Sequence, residues 1–405
     1  MRTILLIFIL LSVLIMLRKI AWFLSKEFVC RHMTEWETYP KKLGFYINWI
    51  HANLEMLFRV RKVRSRPLQL TIDSSNICQL QCPMCPTGSK QHDRPTGKAN
   101  EELLMNLLKE IGEYLFTINF FNWGEPFINS DVTFRWISAA RRMGIRARVS
   151  SNLSLALSDA QIHQICSSGI HDLIVSLDGA TKETYLQYRV NGSFDRVVEN
   201  LRRVVAERRR LGGKGPRIIW QFLVFAHNEH EIDAARKMAH EIGVDEIRFL
   251  PPQVDESVGV FAATDRAYQT ELSEVHTKLP FEIRFPENKD ACVWHYMVAA
   301  INWDGSLSPC EILYKKTYDL GTVGQFGQIP FKQAYNSRQF QAVRAGSSKR
   351  LPGEPLLVCY RCPAALMRSA KGVNGDIRYH CKLRVLNIFR TLIAPFKLQL
   401  NGRSA

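Results

Sequence analysis

A chain of 405 residues can bury a sizeable core and has room for one large α/β domain and a smaller companion. Its 46% hydrophobic content is ordinary, and its ten cysteines fall into local groups, which argues against a secreted disulfide framework and for metal ligands. The formal charge of +16 asks for an anionic counterpart: nucleic acid, an anionic membrane surface or an acidic substrate.

In chain order, Thr3 to Leu17 is uncharged and almost wholly Leu, Ile, Val, Phe and Met. As a helix these residues span about 22 Å, short of the roughly 30 Å hydrocarbon core. Arg18 and Lys19 interrupt before Ile20–Leu24 resumes, and their snorkelling extends the span. No small-residue cleavage site follows, so the segment is expected to be retained as a membrane anchor. Basic residues accumulate downstream, from Arg18, Lys19, Lys26 and Arg31 to Arg59, Arg61, Lys62, Arg64 and Arg66, whereas only Arg2 precedes it. That bias predicts an inner (cytoplasmic) membrane protein whose catalytic domain faces the cytoplasm. Residues 1–66 thus read as anchor and basic linker. Within them, Leu43 to Phe58 suits either the bilayer interface or a core helix.

From residue 68 to about 252, strand-like runs alternate with helix-like ones. The strands are expected at 68–73, 116–121, 146–151, 172–178, 217–225 and 246–250, and the helices near 100–114, 131–143, 158–168, 181–209 and 229–242. This βα alternation predicts a parallel sheet with helices outside, curled into a partial (β/α)6 TIM-like barrel over residues 67–255. Active residues then belong at the C-terminal strand ends. The chemical motifs fall there. Cys78, Cys82 and Cys85 follow strand one with C-x3-C-x2-C spacing, Gly124-Glu-Pro126 follows strand two, Ser151-Asn152 ends strand three, and Ser176-Leu-Asp178 ends strand four. Three thiolates on one tight loop can bind three irons of a [4Fe-4S] cube and leave the fourth open. A zinc knuckle or buried thiols are the alternatives.

Beyond the barrel, residues 256–382 hold Cys292, Cys310, Cys359, Cys362 and Cys381. Asn302-Trp-Asp-Gly305 reads as a hairpin tip ahead of Cys310. Residues 383–405 form an amphipathic tail that suits the bilayer interface or a core equally. Cys30 and Cys166 read as inert small residues. No motif pairing stacking aromatics with basic residues stands out, so nucleic acid is not expected as a partner.

Taken together over residues 68–252, these motifs in this order resemble the radical SAM superfamily. The resemblance implies that Cys78, Cys82 and Cys85 ligate a [4Fe-4S] cluster whose open iron chelates S-adenosylmethionine. It implies further that Met84 lies near the adenine and that Asn122-Trp-Gly124-Glu125-Pro126 lines the methionine amino group, with Trp123 in place of a glycine. Ser151 and Asn152 match positions that reach the ribose or carboxylate. Ser176, with Arg189 downstream, matches the strand-four region, where the guanidinium fork of Arg189 suits the carboxylate. A flavodoxin- or ferredoxin-like reducing donor is implied as a partner.

The second cysteine group resembles the SPASM and twitch extensions of that superfamily. A full SPASM pattern is broken at Arg368 and Gly372. The shorter twitch pattern implies one auxiliary [4Fe-4S] cluster on Cys292, Cys310, Cys359 and Cys362, with a structural zinc as the rival. Glu311 corresponds to an acidic residue that serves as base in relatives. The expected function is hydrogen abstraction, ending in a two-electron oxidation of a sugar, cyclitol, lipid-linked or peptide substrate. Alternatives are a bond-forming maturase and a non-catalytic membrane-bound iron–sulfur or zinc redox or assembly protein.

Overall fold

The computed structural model describes residues 43–90, 93–252, 292, 294–323 and 329–346, all within one unit, Lys41–Met367. The expected anchor at 3–17, the tail at 383–405 and Cys30, Cys359, Cys362 and Cys381 lie outside the described residues. Among the described residues, no helix is long and apolar enough to cross a membrane.

All six expected strands form: β1 (Gln69–Ile72), β2 (Thr117–Asn119), β3 (Arg146–Ser151), β4 (Ile170–Ser176), β5 (Arg217–Leu223) and β6 (Glu246–Leu250). Each is parallel to its neighbour in chain order. One addition was not foreseen. Val298–Ile301 (β7) pairs parallel with the free side of β1, and Leu307–Ser308 (β8) folds back antiparallel on β7. The order is β6-β5-β4-β3-β2-β1-β7-β8, so β1 is an inner strand. The turn between β7 and β8 is the expected Asp-Gly hairpin tip, with Gly305 at a φ of +77°. A Cβ there would lie 2.2 Å from the Val323 carbonyl oxygen, so only glycine fits.

The two faces of the sheet differ in chemistry because side chains alternate along each strand. Leu70, Ile72, Ile118, Val149, Val175 and Trp220 are fully buried on the apolar face. Helices with strong apolar stripes belong to that face: α2 (Glu102–Ile111), α3 (Ser130–Arg142), α6 (Phe194–Arg210) and α7 (Ile232–Ile242). A shorter helix, α4 (Asp159–Ser167), starts with a reciprocal capping box between Ser158 and Gln161. Its Cys166 is buried, with Sγ 3.5 Å from the Val204 carbonyl, as an inert core residue should be. The opposite face is polar. Thr71, Asn119, Arg148 and Asp172 stand side by side in register, with Asn119 donating to Thr71 at 3.1 Å and Arg148 to Asp172 at 3.2 Å.

The single run expected at 181–209 is two helices, α5 (Lys182–Tyr188) and α6. Asn191 takes a φ of +63° and Gly192 packs so tightly that a Cβ would meet the Arg189 carbonyl at 2.7 Å. Ser193 then caps α6 by accepting from Arg196 N–H. The Asn191-Gly192 turn dipeptide and the Ser193 cap are the sequence signals of this break.

A first helix, α1 (Leu43–Leu57), packs against the turn at 112–114 and against α8 (Trp294–Met297), both of which lead directly into strands. It therefore covers the N-terminal end of the barrel. At the other end, Arg94 joins the segment after the cysteine loop to the β7–β8 region. Its guanidinium donates to both Asp319 carboxylate oxygens at 2.7 and 2.9 Å, to Ser306 Oγ at 2.7 Å and to the Tyr314 carbonyl. Asp304 lies 3.7 Å away. Removing this fully buried cation leaves Asp319 without its ion-pair partner, whereas Asp304 keeps Lys316 at 2.6 Å. Arg94→Met is expected to lose about 3–5 kcal/mol in chemical denaturation, whereas an exposed Arg135→Met should lose no more than about 1 kcal/mol.

Candidate active site

The cysteine loop is held by backbone before any side chain acts. Gln81 N–H donates to the Val190 carbonyl at 2.9 Å, and Cys85 N–H to the Cys82 carbonyl at 3.1 Å. Gly88 packs on the loop: a Cβ would sit 2.6 Å from both N and O of Cys82. Cys78, Cys85 and Met84 pack with Cys82 against Leu80, Tyr188, Leu223 and Phe225. Burial pushes the Cys78 thiol up to about 12, and the Glu125, Cys82 and Cys85 charges add to the rise. Burial also pushes Cys82 up, against the nearby Arg189 cation.

The turn after β2 lies directly on this loop. Glu125 N–H donates to the Ile77 carbonyl at 2.9 Å, and a Cβ on Gly124 would fall 1.7 Å from the Ser75 carbonyl oxygen. The glycine of the motif is therefore required by backbone contact. The Glu125 side chain, only 2% exposed, points to the end of β3, where it accepts from Ser151 Oγ at 2.8 Å and Asn152 N–H at 2.9 Å. Burial pushes its carboxyl up to about 7, and those donors pull it back. Ser151 Oγ also accepts from Leu153 N–H at 3.0 Å. The Asn152 amide nitrogen donates to Cys78 Sγ at 3.7 Å, while its oxygen accepts from Gln79 at 2.8 Å and Ser154 N–H at 2.9 Å.

Two acids at strand ends organise the site: Asp73, which the sequence reading passed over, and Asp178, which it named only as part of the strand-four motif. Asp73, just past β1, accepts from Trp123 N–H at 3.1 and 3.3 Å. Burial pushes it up to about 7, against the backbone N–H groups of Trp123, Asn122 and Gly124. Asp178, two residues past β4, accepts from Arg189 Nε at 2.6 Å and Leu223 N–H at 2.7 Å. Arg189 Nη1 then reaches Cys82 Sγ at 3.8 Å. Ser176 closes β4 and is buried. A carboxylate that ends an apolar strand run, as in Leu70–Asp73 and Leu173–Asp178, was the available signal.

The segment after β8 closes over the loop from the other side. The Tyr314 hydroxyl accepts from Asn76 Nδ2 at 3.0 Å, and its ring lies 5.2 Å from that of Trp123. Trp123, where a glycine was expected, thus serves this contact. Glu311 follows Cys310 and accepts from Thr71 Oγ1 at 2.9 Å. Its carbonyl accepts from the Asn122 side chain at 3.0 Å in the amide orientation that satisfies both neighbours. Cys292, before α8, and Cys310, after β8, are both buried.

Among the described residues, no group of Cys, His, Asp and Glu converges on a single-ion site. An iron–sulfur cube needs no such convergence, because each thiolate takes a different iron. Three clustered thiols, of which Cys78 and Cys82 are disfavoured as anions by burial and have N–H donors aimed at sulfur, fit a cationic cluster core.

A family described as the radical SAM superfamily matches residues 72–247, and an iron–sulfur cluster-binding SPASM domain matches residues 292–363. The chain carries a radical SAM domain followed by a SPASM domain. The SPASM match begins on Cys292 and ends one residue past Cys362, so Arg368 and Gly372 lie beyond it. No curated protein sequence matches the chain. Among solved structures it is similar to Streptococcus suis SuiB bound to S-adenosylmethionine, with TM-score 0.53 and 14% identity over 79% of this chain and 78% of that one. It is also similar to SuiB bound to precursor peptide SuiA, with TM-score 0.50 and 14% identity over 74% and 71%. A third is native anSMEcpe with bound AdoMet, with TM-score 0.51 and 14% identity over 80% and 100%. At such identities the likeness is one of fold. The radical SAM and SPASM domains take a SAM-binding [4Fe-4S] cluster, auxiliary iron–sulfur and S-adenosylmethionine.

Two variants test this geometry. Gly124→Ala has no room beside Ser75, so iron incorporation at the first site should fall about tenfold or more while far-UV circular dichroism stays near wild type. Arg189→Gln removes a cation beside Cys82. The reduced cluster should then titrate at a more negative midpoint by electron paramagnetic resonance, with Arg189→Lys in between; an unchanged midpoint in both would show that Arg189 does not tune the cluster.

Proposed function

We propose that this radical SAM enzyme removes two electrons from a polar substrate, and that Glu311 takes the proton. The supporting observation is where Glu311 lies. It sits next to Cys310 of the SPASM segment, and its Oε2 is held by Thr71 on the polar face of β1, two residues before Asp73. When bound, the reduced cluster and S-adenosylmethionine supply a 5′-deoxyadenosyl radical, which becomes 5′-deoxyadenosine on taking a hydrogen atom from substrate. What remains to leave is one proton and one electron. Glu311 receives the proton, and an auxiliary cluster held by the SPASM segment, which carries Cys292 and Cys310, would take the electron. Tyr314 and Trp123 together cover one side of the cysteine loop, which limits water there.

The polar face, where Arg148 pairs with Asp172 and Arg248 with Glu246 beside half-exposed Gln221, supports a polar substrate. A sugar, cyclitol, lipid-linked glycan or peptide satisfies that. Residues 3–17 and the basic run behind them support a tether that keeps the enzyme on the cytoplasmic face of a membrane, where reducing donors are found.

The test is anaerobic turnover with dithionite and deuterated candidate substrates. Deuterium is expected in 5′-deoxyadenosine. Glu311→Gln should keep S-adenosylmethionine cleavage within about threefold and lower oxidised product by about 10²–10⁴. Unchanged product would remove Glu311 from the mechanism.

A further inference from the structure

The outward side of α1 is not what a core helix presents. Its inward side is fully engaged. Phe45 packs its ring 6.3 Å from that of Phe116, and Ala52 and Met56 are buried. Asn48 exchanges two hydrogen bonds with the Arg66 backbone, at 2.7 and 2.9 Å. Glu55 accepts from Arg64 N–H at 2.6 Å and from Ser65 Oγ at 2.6 Å. The helix is therefore a rigid part of the entry into β1.

Opposite that side, Ile47, Ile50 and Phe58 are 47%, 48% and 64% exposed, with half-buried Leu54 between them. These positions follow the i, i+3, i+4 rule and form one apolar stripe. Among the described residues, five large apolar side chains are exposed, and three of them are here. The chain then turns through Arg59, at a φ of +53°, and Arg59, Arg61, Lys62 and Arg64 follow directly on the stripe in sequence, all exposed. A second copy of so basic a surface would repel it. An apolar ridge followed by cations complements a bilayer with anionic headgroups. The uncharged run Thr3–Leu17 begins only forty residues upstream of Leu43 in sequence.

We propose that the stripe Ile47–Ile50–Leu54–Phe58, with the basic run after it, docks on an anionic lipid surface and holds the barrel mouth away from it. The orientation follows from topology. Helix α1 covers the elements that lead into the strands, whereas Cys78, Gly124, Asn152 and Asp178 follow the strand C-terminal ends. The docked enzyme presents its active site to the aqueous side, so a substrate reaches it from solution. The proposal rests on the membrane-tether reading above and is independent of the oxidation chemistry.

Photocrosslinking of the full chain in nanodiscs tests it. Ile50→benzoylphenylalanine and Ile47→benzoylphenylalanine are expected to form lipid adducts in phosphatidylglycerol discs, several-fold more than in phosphatidylcholine discs. Lys182→benzoylphenylalanine, on an exposed residue past β4, should form none. Crosslinks from Ile50 to a second copy or to another segment of this chain would overturn the docking while leaving the tether. Equal lipid adducts at Lys182 would overturn the orientation. A full chain that does not partition into the discs would overturn the tether and the docking together, with 5′-deoxyadenosine formation unaffected.

Discussion

The site depends on one close approach: the backbone of Gly124 resting on the carbonyl of Ser75. There is room for a hydrogen and nothing larger. From that contact, Glu125 N–H reaches the Ile77 carbonyl and Trp123 N–H reaches Asp73, so the turn after β2 and the loop after β1 become one rigid piece. The Glu125 side chain carries the connection on to Ser151 and Asn152 at the end of β3, and Asn152 returns it to Cys78. Three strand ends are thus coupled around three sulfurs without relying on loop stiffness.

The same site concentrates charge that burial would otherwise exclude. Asp73 and Glu125 are both held up near 7, and Asp178 is fully buried beside Arg189. Carboxyl groups so placed are expensive unless backbone amides and cations meet them, and here each is met. The arrangement matches what a cofactor with an ammonium, a carboxylate and a cationic cluster demands of a protein: dipoles and charges fixed before binding. The cost is recovered in part on the apolar side of the sheet, where the alternating strands bury their hydrophobic residues against α2, α3, α6 and α7.

Much of this was legible in the sequence because it is periodic or local. Alternation placed six strands within a few residues of their observed ends, and the C-x3-C-x2-C spacing marked the loop that the sulfurs share. The failures have physical causes. Strand β7 is four residues before a hairpin tip that the sequence does show, but its parallel pairing with β1 joins segments far apart in the chain, which no local pattern reveals. The break at 189–193 was marked by Asn191-Gly192 and the cap Ser193, which the single-helix reading passed over, and it delivers Arg189 to Asp178 and Val190 to the cysteine loop. Trp123 read as a departure from a glycine motif. Its reason, the ring of Tyr314, lies 191 positions away in the chain and is invisible to any local pattern.

The SPASM segment is latched to the barrel by Arg94, Tyr314 and Asn122, which puts Cys310 and Glu311 within reach of the polar sheet face. All of this has purpose only if Cys78, Cys82 and Cys85 hold a cluster with one iron open to S-adenosylmethionine. The most direct measurement is the electron paramagnetic resonance spectrum of the dithionite-reduced full chain, recorded with and without S-adenosylmethionine. The account predicts a reduced-cluster signal that changes on adding S-adenosylmethionine and is lost in Cys82→Ala. A spectrum indifferent to S-adenosylmethionine, or a protein that carries zinc in place of iron, would contradict it.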